Sequence, residues 1–357
     1  MTMDAAALSR IRNDVAAWLE TRRVSGAPFG AFTLCSHAHA TGGELNASTG
    51  ALELSVMLDL LLSSEERQSA VQYLKGFQNR ETGLVTDPSW AGRELRPDRR
   101  VKDGGDTFFT MTASAALRAL GASFDYPVQY LAAMSTDELV ARVRMDTGAH
   151  NPLAVGDLGE LLYLNRELGV PGSGEQWDAL MEHIARTQDP ATGLWPSGGT
   201  SRPYTPHINR SFHVMRTTWN LIKRPYPKAD RIIEACLEAS RDTAFYDWEH
   251  GYACNDLDLA HMFYSASRWT DYRFGEVSEW ARSRLPMILS VQKDDGGFSF
   301  YHEAAMRDHA GIAMSPGEHE SDTWGTLMYM GTIIMMVELG YPGLEVPWGY
   351  SRVHCVG

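Results

Sequence analysis

The chain is short of cysteine, of positive charge and of long apolar runs, and each shortage closes off a class of protein. Four scattered cysteines in 357 residues do not make a disulfide framework. The longest apolar stretch, around Thr332 to Leu339, falls far short of the ~20 residues that span a bilayer. Membrane insertion is therefore not expected. The 32 Lys and Arg are outnumbered by 45 Asp and Glu, for a net charge of −13. Nucleic acid rewards clustered Lys and Arg, so it is not an expected partner. The opening residues, MTMDAAALSRIRNDVAAWLE, lack the basic-then-apolar layout of a signal peptide and read as an amphipathic helix. The expectation is a reduced, cytoplasmic protein. No Gly/Ser-rich or charged low-complexity linker breaks the pattern, and one domain over residues 1–357 is expected.

What the chain has instead is repetition. Gln78 opens QNRETGLV, Gln188 opens QDPATGLW and Gln292 opens QKDDGGFSF. In each, a Gln ends a helix-like stretch, a Gly follows a short polar turn, and an apolar or aromatic residue closes it. Self-similarity of this kind marks a repeat architecture. Six helices rich in small and apolar residues are predicted over Ser48–Leu62, Thr107–Leu120, Leu158–Leu168, Arg210–Ile222, Leu257–Trp269 and Thr323–Leu339. Six more amphipathic ones are predicted over Asp4–Glu20, Glu65–Phe77, Asp137–Arg144, Glu175–Thr187, Lys228–Ser240 and Glu276–Val291. Helices apolar on nearly all sides are buried, and amphipathic ones cover them. The reading is an all-α fold, a single (α/α)6 toroid of six inner and six outer helices, with the functional pocket at the N-terminal end of the inner set. Asp106, Asp157, Asn209, Asp256 and Asp322 stand where inner helices begin and are expected to act as N-caps. Capping boxes are expected at Ser63/Glu66, Ser135/Glu138 and Ser173/Gln176.

The spacing of Gln188, Gly193 and Trp195, with looser copies at Gln78 and Gln292, resembles the repeat signature of the terpenoid cyclase and protein prenyltransferase toroids. Asp256-Leu-Asp258-Leu-Ala resembles the acidic DxDD motif of class II terpenoid cyclases. That resemblance implies that Asp258 protonates an alkene, although Leu259 stands where the family has its last Asp. The prenyltransferase zinc pattern of Asp-x-Cys with a distant His is not found.

Other site candidates come from polar residues that interrupt the apolar inner helices: Glu160, His213, Arg216, Asp258 and His261. A charged group there must be paired or face a ligand cavity. The loops leading into these helices are dense in His, Arg and acids. They contain His37, His39 and Glu44; His207, Asn209 and Arg210; Tyr301, His302, Arg307 and His309; and Glu318, His319 and Glu320. Trp195, Trp248 and Trp324 offer flat faces. So polar a mouth favours a sugar-like substrate, and the leading expectation is an enzyme that cleaves a glycosidic bond. For hydrolysis, Glu160, Asp258 and Glu320 are the acids and bases. For β-elimination on a uronate, His213 or Tyr301 abstracts the proton and Arg216 or Arg307 neutralises the carboxylate. His207, His302, Trp195 and Trp324 are expected to bind a small-molecule or oligosaccharide substrate. The alternative is an isoprenoid cyclase with Asp258 as proton donor, and a further one is a ligand-binding toroid without catalysis. No cofactor is expected. Cys35, His37 and His39 share one face of an extended segment, but no CxxC or HExxH accompanies them, and no metal is expected.

Overall fold

The computed structural model describes residues 3–39, 45–60, 62–87, 107–143, 152–195, 205–241, 253–309 and 312–349. Helix α1 (Ala5–Glu20) is followed by α2 (Leu45–Met57), α3 (Ser64–Lys75) and α4 (Thr107–Ala119). A single turn, α5 (Gln129–Ala132), leads to α6 (Thr136–Arg142), α7 (Pro152–Glu167) and α8 (Ser173–Thr187). Then come α9 (Thr205–Arg216), the short α10 (Trp219–Ile222), α11 (Ala229–Ala239), α12 (Ala253–Ser267) and α13 (Phe274–Ser290). A two-residue hairpin, β1 (Asp308–His309) and β2 (Ile312–Ala313), precedes α14 (Thr323–Gly340). Apart from this small hairpin, the regular structure among the described residues is thus helical. No helix among the described residues is long and apolar enough to cross a membrane.

Composition sorts the helices into two sets. Every residue of α2 is buried, and so is nearly all of α12 and α14. By contrast α1 buries one stripe (Ala7, Leu8, Ile11, Val15, Trp18 and Leu19), and α3 buries only Ala70 and Leu74. The buried helices form a closed circuit: α2 packs on α4, α4 on α7, α7 on α9, α9 on α12, α12 on α14, and α14 returns to α2. The amphipathic helices lie against them, α1 and α3 on α2, α8 on α7, α11 on α12 and α13 on α14. Trp348, near the end of the chain, is buried over α14 and donates to the Met330 carbonyl.

The glutamine cassettes work by hydrogen bonding. Gln78 Nε2 donates to the Gly83 carbonyl at 3.0 Å and to the Tyr126 carbonyl at 2.6 Å, while its Oε1 accepts from the Asp125 and Tyr126 amides. Gln188 Nε2 closes its own turn at the Gly193 carbonyl and also reaches the Pro227 carbonyl, at 2.7 and 2.8 Å. Gln292 Nε2 likewise donates to the Gly296 carbonyl, at 2.9 Å. Each side chain therefore replaces a ladder partner that the turn cannot supply. The turn glycine also sits against the next outer element. A Cβ on Gly193 (φ +70°) would lie 2.9 Å from the Ile232 amide of α11, and one on Gly296 2.8 Å from the Asp14 carbonyl of α1. The third cassette thus brings α13 back onto α1.

A second repeated bond follows each turn. Phe32, Val85, Trp195 and Phe298 donate their backbone N–H to Ser48, Thr110, Ser211 and Thr326, at 3.0, 2.8, 3.0 and 2.9 Å. These hydroxyls stand in the first turns of α2, α4 and α14 and in the second turn of α9, so each turn is pinned to the buried helix that follows it.

Three of the expected caps are corrected. α7 and α9 begin upstream of Asp157 and Asn209, and α12 upstream of Asp256, so these residues lie inside their helices. Pro152 and Pro206 stand in the first turns of α7 and α9, where the missing N–H costs nothing. Asp322 does cap α14, accepting from the Gly325 amide at 2.7 Å, and Asp4 caps α1. Asp106 lies outside the described residues. The boxes at Ser63/Glu66 and Ser135/Glu138 form. Ser173/Gln176 does not: Gly172 occupies the cap position, and Gln176 Nε2 instead reaches the Leu131 and Met134 carbonyls. The predicted helix Arg210–Ile222 is broken after Arg216. Thr217 and Thr218 turn their hydroxyls back onto the His213 and Val214 carbonyls, a bond that competes with helix continuation.

Candidate functional site

That break has a consequence inside the circuit. It leaves Arg216 as the last residue of α9 and puts Asn220 on the separate turn of α10. Asp258 and His261 are three apart on α12 and so share a face. Asn220 Nδ2 lies 2.8 Å from His261 Nε2. The Arg216 guanidinium rests 5.7 Å from the Phe212 ring centre and 3.7 Å from Met111 Sδ of α4. Its charge is felt by Glu53 of α2 and by Cys254, Asp258 and His261 of α12. Glu160 of α7 is bound by Arg118 of α4 at 2.7 Å, and both act on Glu53. Residues from five of the six circuit helices therefore meet in one polar group.

Burial dominates the electrostatics of this group. Glu53 is 2% exposed, and loss of water pushes its carboxyl up to about 8, against the opposing pull of Arg216 and with Glu160 adding to the rise. Asp258 is raised well above the usual carboxylate range by burial, and Arg216 offsets only part of this. His261 is fully enclosed, and burial followed by Arg216 pushes its imidazole down to about 3. Burial thus favours the acid form of both carboxyls beside the guanidinium and the neutral form of the histidine. Phe212 meets the His261 ring edge-on at 4.9 Å, and the Cys254 thiol lies 3.9 Å from Met328 Sδ. A neutral acid set among aromatic and thioether groups can donate a proton where water would not compete.

A second group of candidates stands elsewhere, around an open cleft of about 620 Å³ bounded by Ser36 and His37, the end of α13 and the segment leading to α14. Glu320 accepts there from the Ser36 and His37 amides at 2.8 and 3.2 Å and from His37 Nδ1 at 3.0 Å. His302 and His319 line the same cleft. Two of its carboxylates, Glu320 and Asp295, are occupied in holding the loop. Asp295 takes the Ser321 amide and hydroxyl and the Gly297 amide, while Lys293 donates to the His302 carbonyl. Beneath it, buried Asp256 pairs with Arg284 at 2.8 Å and accepts from the Tyr329 hydroxyl at 3.3 Å.

The expected single mouth therefore divides. Asp258, His261 and Arg216 come together, with Glu160 adjoining through Arg118 and Glu53. His213 is half-buried, edge-on to Phe212 at 5.1 Å and pressed on Gly156 of α7, and His207 is buried at the start of α9. Trp324 lies at the seam of α14, α2 and α4, donating to the Asn46 carbonyl at 2.9 Å with its ring centre 6.5 Å from that of Phe108. Glu320 and His302 belong to the cleft. Tyr301 is half-buried against Phe300, and Arg307 is exposed beside Gly317. Trp195 is corrected from a substrate face to a brace. It is fully enclosed against Trp219, with its indole N–H donated to the Ile184 carbonyl at 2.8 Å. His309 has only its backbone described, and Glu44 and Trp248 lie outside the described residues.

Sequence reasoning missed Glu53, Arg118 and Asn220. Glu53 carried a usable signal, since it is the one charged residue within the buried run LNASTGALELSVM. Cys35 is buried with its thiol at Glu320, whose charge adds to burial in raising it, while the His37 side chain is mostly exposed. Among the described residues no three His, Cys, Asp or Glu are grouped to hold a metal ion. No protein-family model matches the chain, and no curated protein is significantly similar to it.

Proposed function

We propose that the closed circuit is the inner barrel of an (α/α)6 toroid of the terpenoid cyclase kind, one domain over the whole chain. In this reading the protein is an isoprenoid cyclase whose chemistry begins with proton donation from Asp258. The observation that carries it is the buried Asp258 carboxyl, raised by loss of water, beside an Arg216 that rests on Phe212 and Met111 and a Cys254 that touches Met328. The Asp258 O–H bond breaks as its proton adds to one carbon of an alkene, or to an epoxide oxygen. The electron pair left on the carboxylate is stabilised by Arg216, and the carbocation formed is captured by a neighbouring double bond of the same substrate. Phe212 is suited to face such a cation through its ring. Asp258→Asn is expected to abolish turnover of prenyl substrates while leaving the circular dichroism spectrum intact and the melting temperature no lower than the parent's. Turnover that survives this substitution would remove the assigned acid.

A second reading rests on Glu53 and Glu160. A carboxyl in the acid form facing one bound to an arginine resembles the acid and base division that glycosidic cleavage requires. New reducing ends, or an unsaturated product, from a panel of neutral and uronate oligosaccharides would favour this reading over cyclisation.

A further inference from the structure

We propose that the open cleft between the end of α13 and the segment leading to α14 is a second ligand site, in which the Lys293 amine forms an imine with a small, polar, uncharged aldehyde. The site stands apart from the helix circuit and does not rest on the cyclase reading.

The first observation is where the lysines stand. The chain has lysine at positions 75, 102, 223, 228 and 293. Lys75 is held at 2.6 Å by the Asp125 carboxylate, which favours its ammonium form. Lys223 is exposed, and Lys228, also exposed, braces the Gln188 carbonyl and side chain at 3.3 Å. Lys102 lies outside the described residues. Of the described lysines Lys293 alone lines the cleft, whose volume of about 620 Å³ suits a small molecule.

The second observation is how its amine is held. Lys293 Nζ donates to the His302 carbonyl at 2.5 Å and, among the described residues, makes no other hydrogen bond and no ion pair. A carbonyl accepts from an amine as well as from an ammonium, so this contact orients the nitrogen without requiring its charge. The side chain is half-buried, and loss of water pushes the ammonium below its usual value against the pull of Glu303, Asp295 and Asp294. A lysine made less basic by burial is suited to act as an imine-forming nucleophile.

The nitrogen lone pair adds to the carbonyl carbon, and the C=O π pair moves to oxygen, which takes a proton. Loss of one N–H proton gives a neutral carbinolamine. The C–O bond then breaks as the hydroxyl takes a second proton and leaves as water, and loss of the other N–H proton completes the C=N bond. Two protons leave nitrogen and two reach oxygen, so the step needs no oxidant or reductant. His319 and Glu303, 3.8 Å apart, and His302 line the same cleft and can carry these protons. Charge decides the ligand class. Glu320 and Asp295 are taken up by the loop, whereas Asp294 and Glu303 are exposed carboxylates of the lining and oppose a ligand with an acid group. His37, from the segment before α2, is the remaining titratable group of the cleft, and it is held by Glu320.

Reductive trapping on the full chain tests the proposal, with glycolaldehyde and sodium cyanoborohydride at pH 7 and peptide mapping of the adducts by mass spectrometry. Lys293 is expected to be labelled at least about tenfold faster than exposed Lys223, because a less basic lysine has more of its free amine at that pH. The ratio of the two rates is expected to fall toward one in urea. In the folded protein it is expected to fall as pH rises toward about 10.4, where an ordinary exposed lysine also loses its proton. Glyoxylate carries a carboxylate in place of the hydroxymethyl group, and its ratio is expected to be about fivefold smaller and to recover in part in Glu303→Gln. Lys293→Arg is expected to remove the fastest-forming adduct from the intact-mass spectrum and to leave the slower ones. A Lys293 labelled no faster than Lys223, or an advantage that survives unfolding, would overturn the assignment of the nucleophile. A glyoxylate ratio equal to or above that of glycolaldehyde would overturn the ligand class. Mapping of the unmodified protein decides both points even if the Arg variant fails to fold.

Discussion

Glu53→Gln is a substitution of nearly equal shape that removes one titration from the centre of the helix circuit. The carboxyl moves from an ordinary value of 4.5 to about 8 on folding, because burial in α2 outweighs the attraction of Arg216. The folded state therefore holds the proton more tightly than the unfolded chain does. Its contribution to stability is fully present below pH 4.5 and is lost as pH rises through about 8. At about 1.4 kcal/mol per pH unit, the loss is about 3 kcal/mol at pH 7 and about 5 kcal/mol by pH 9. Glutamine carries no such linkage. The variant is thus expected to match the parent near pH 4.5, to exceed it by about 3 kcal/mol at pH 7 and by about 5 kcal/mol at pH 9. Urea unfolding of both proteins, followed by far-ultraviolet circular dichroism and tryptophan fluorescence, measures this difference, and titrations common to both cancel. A difference that does not change with pH would refute the reasoning. So would a variant less stable than the parent at pH 9, since that would mean an ionised Glu53 paired with Arg216.

Three further outcomes follow from the framework around the site. Asp256→Asn removes the negative charge that buried Arg284 pairs with, and an unfolding free energy lower by about 3 kcal/mol is expected, with much of it recovered in the double variant Asp256→Leu/Arg284→Met. Gly193→Ala forces a side chain into a left-handed position and against the Ile232 amide, so a loss of about 2 kcal/mol or more by urea unfolding is expected. Thr326→Val keeps the shape of the side chain but removes the acceptor of the buried Phe298 amide, which is expected to cost about 1–3 kcal/mol and to raise amide exchange at Phe298.

Much of the fold was legible because its determinants are local. Asp322, Ser63 with Glu66 and Ser135 with Glu138 cap their helices through bonds to amides three residues on, and spacing alone reveals them. The glutamine cassettes were legible as a repeat, and the contrast between buried and amphipathic runs separated the two helix sets. Asp157, Asn209 and Asp256 misled because a short polar residue in a first or second turn reads as a cap, whereas Asp256 is there for Arg284, 28 residues away. The hydroxyls of Ser48, Thr110, Ser211 and Thr326 escaped notice for the same reason, since each serves an amide 16 to 28 residues earlier.

The site divides along the same line. The sequence by itself determined which residues are chemically out of place, Asp258, His261 and Arg216 in helices otherwise apolar, because that test needs only composition and period. It also determined that these helices are buried. Only the tertiary structure decided that Glu53 joins them, that Glu320 and His302 stand apart around another cleft, and that burial raises the Asp258 and Glu53 carboxyls. A carboxyl's protonation depends on how much water and which charges surround it, and here those neighbours come from α2, α4, α7, α9 and α12, helices that meet only when the circuit closes.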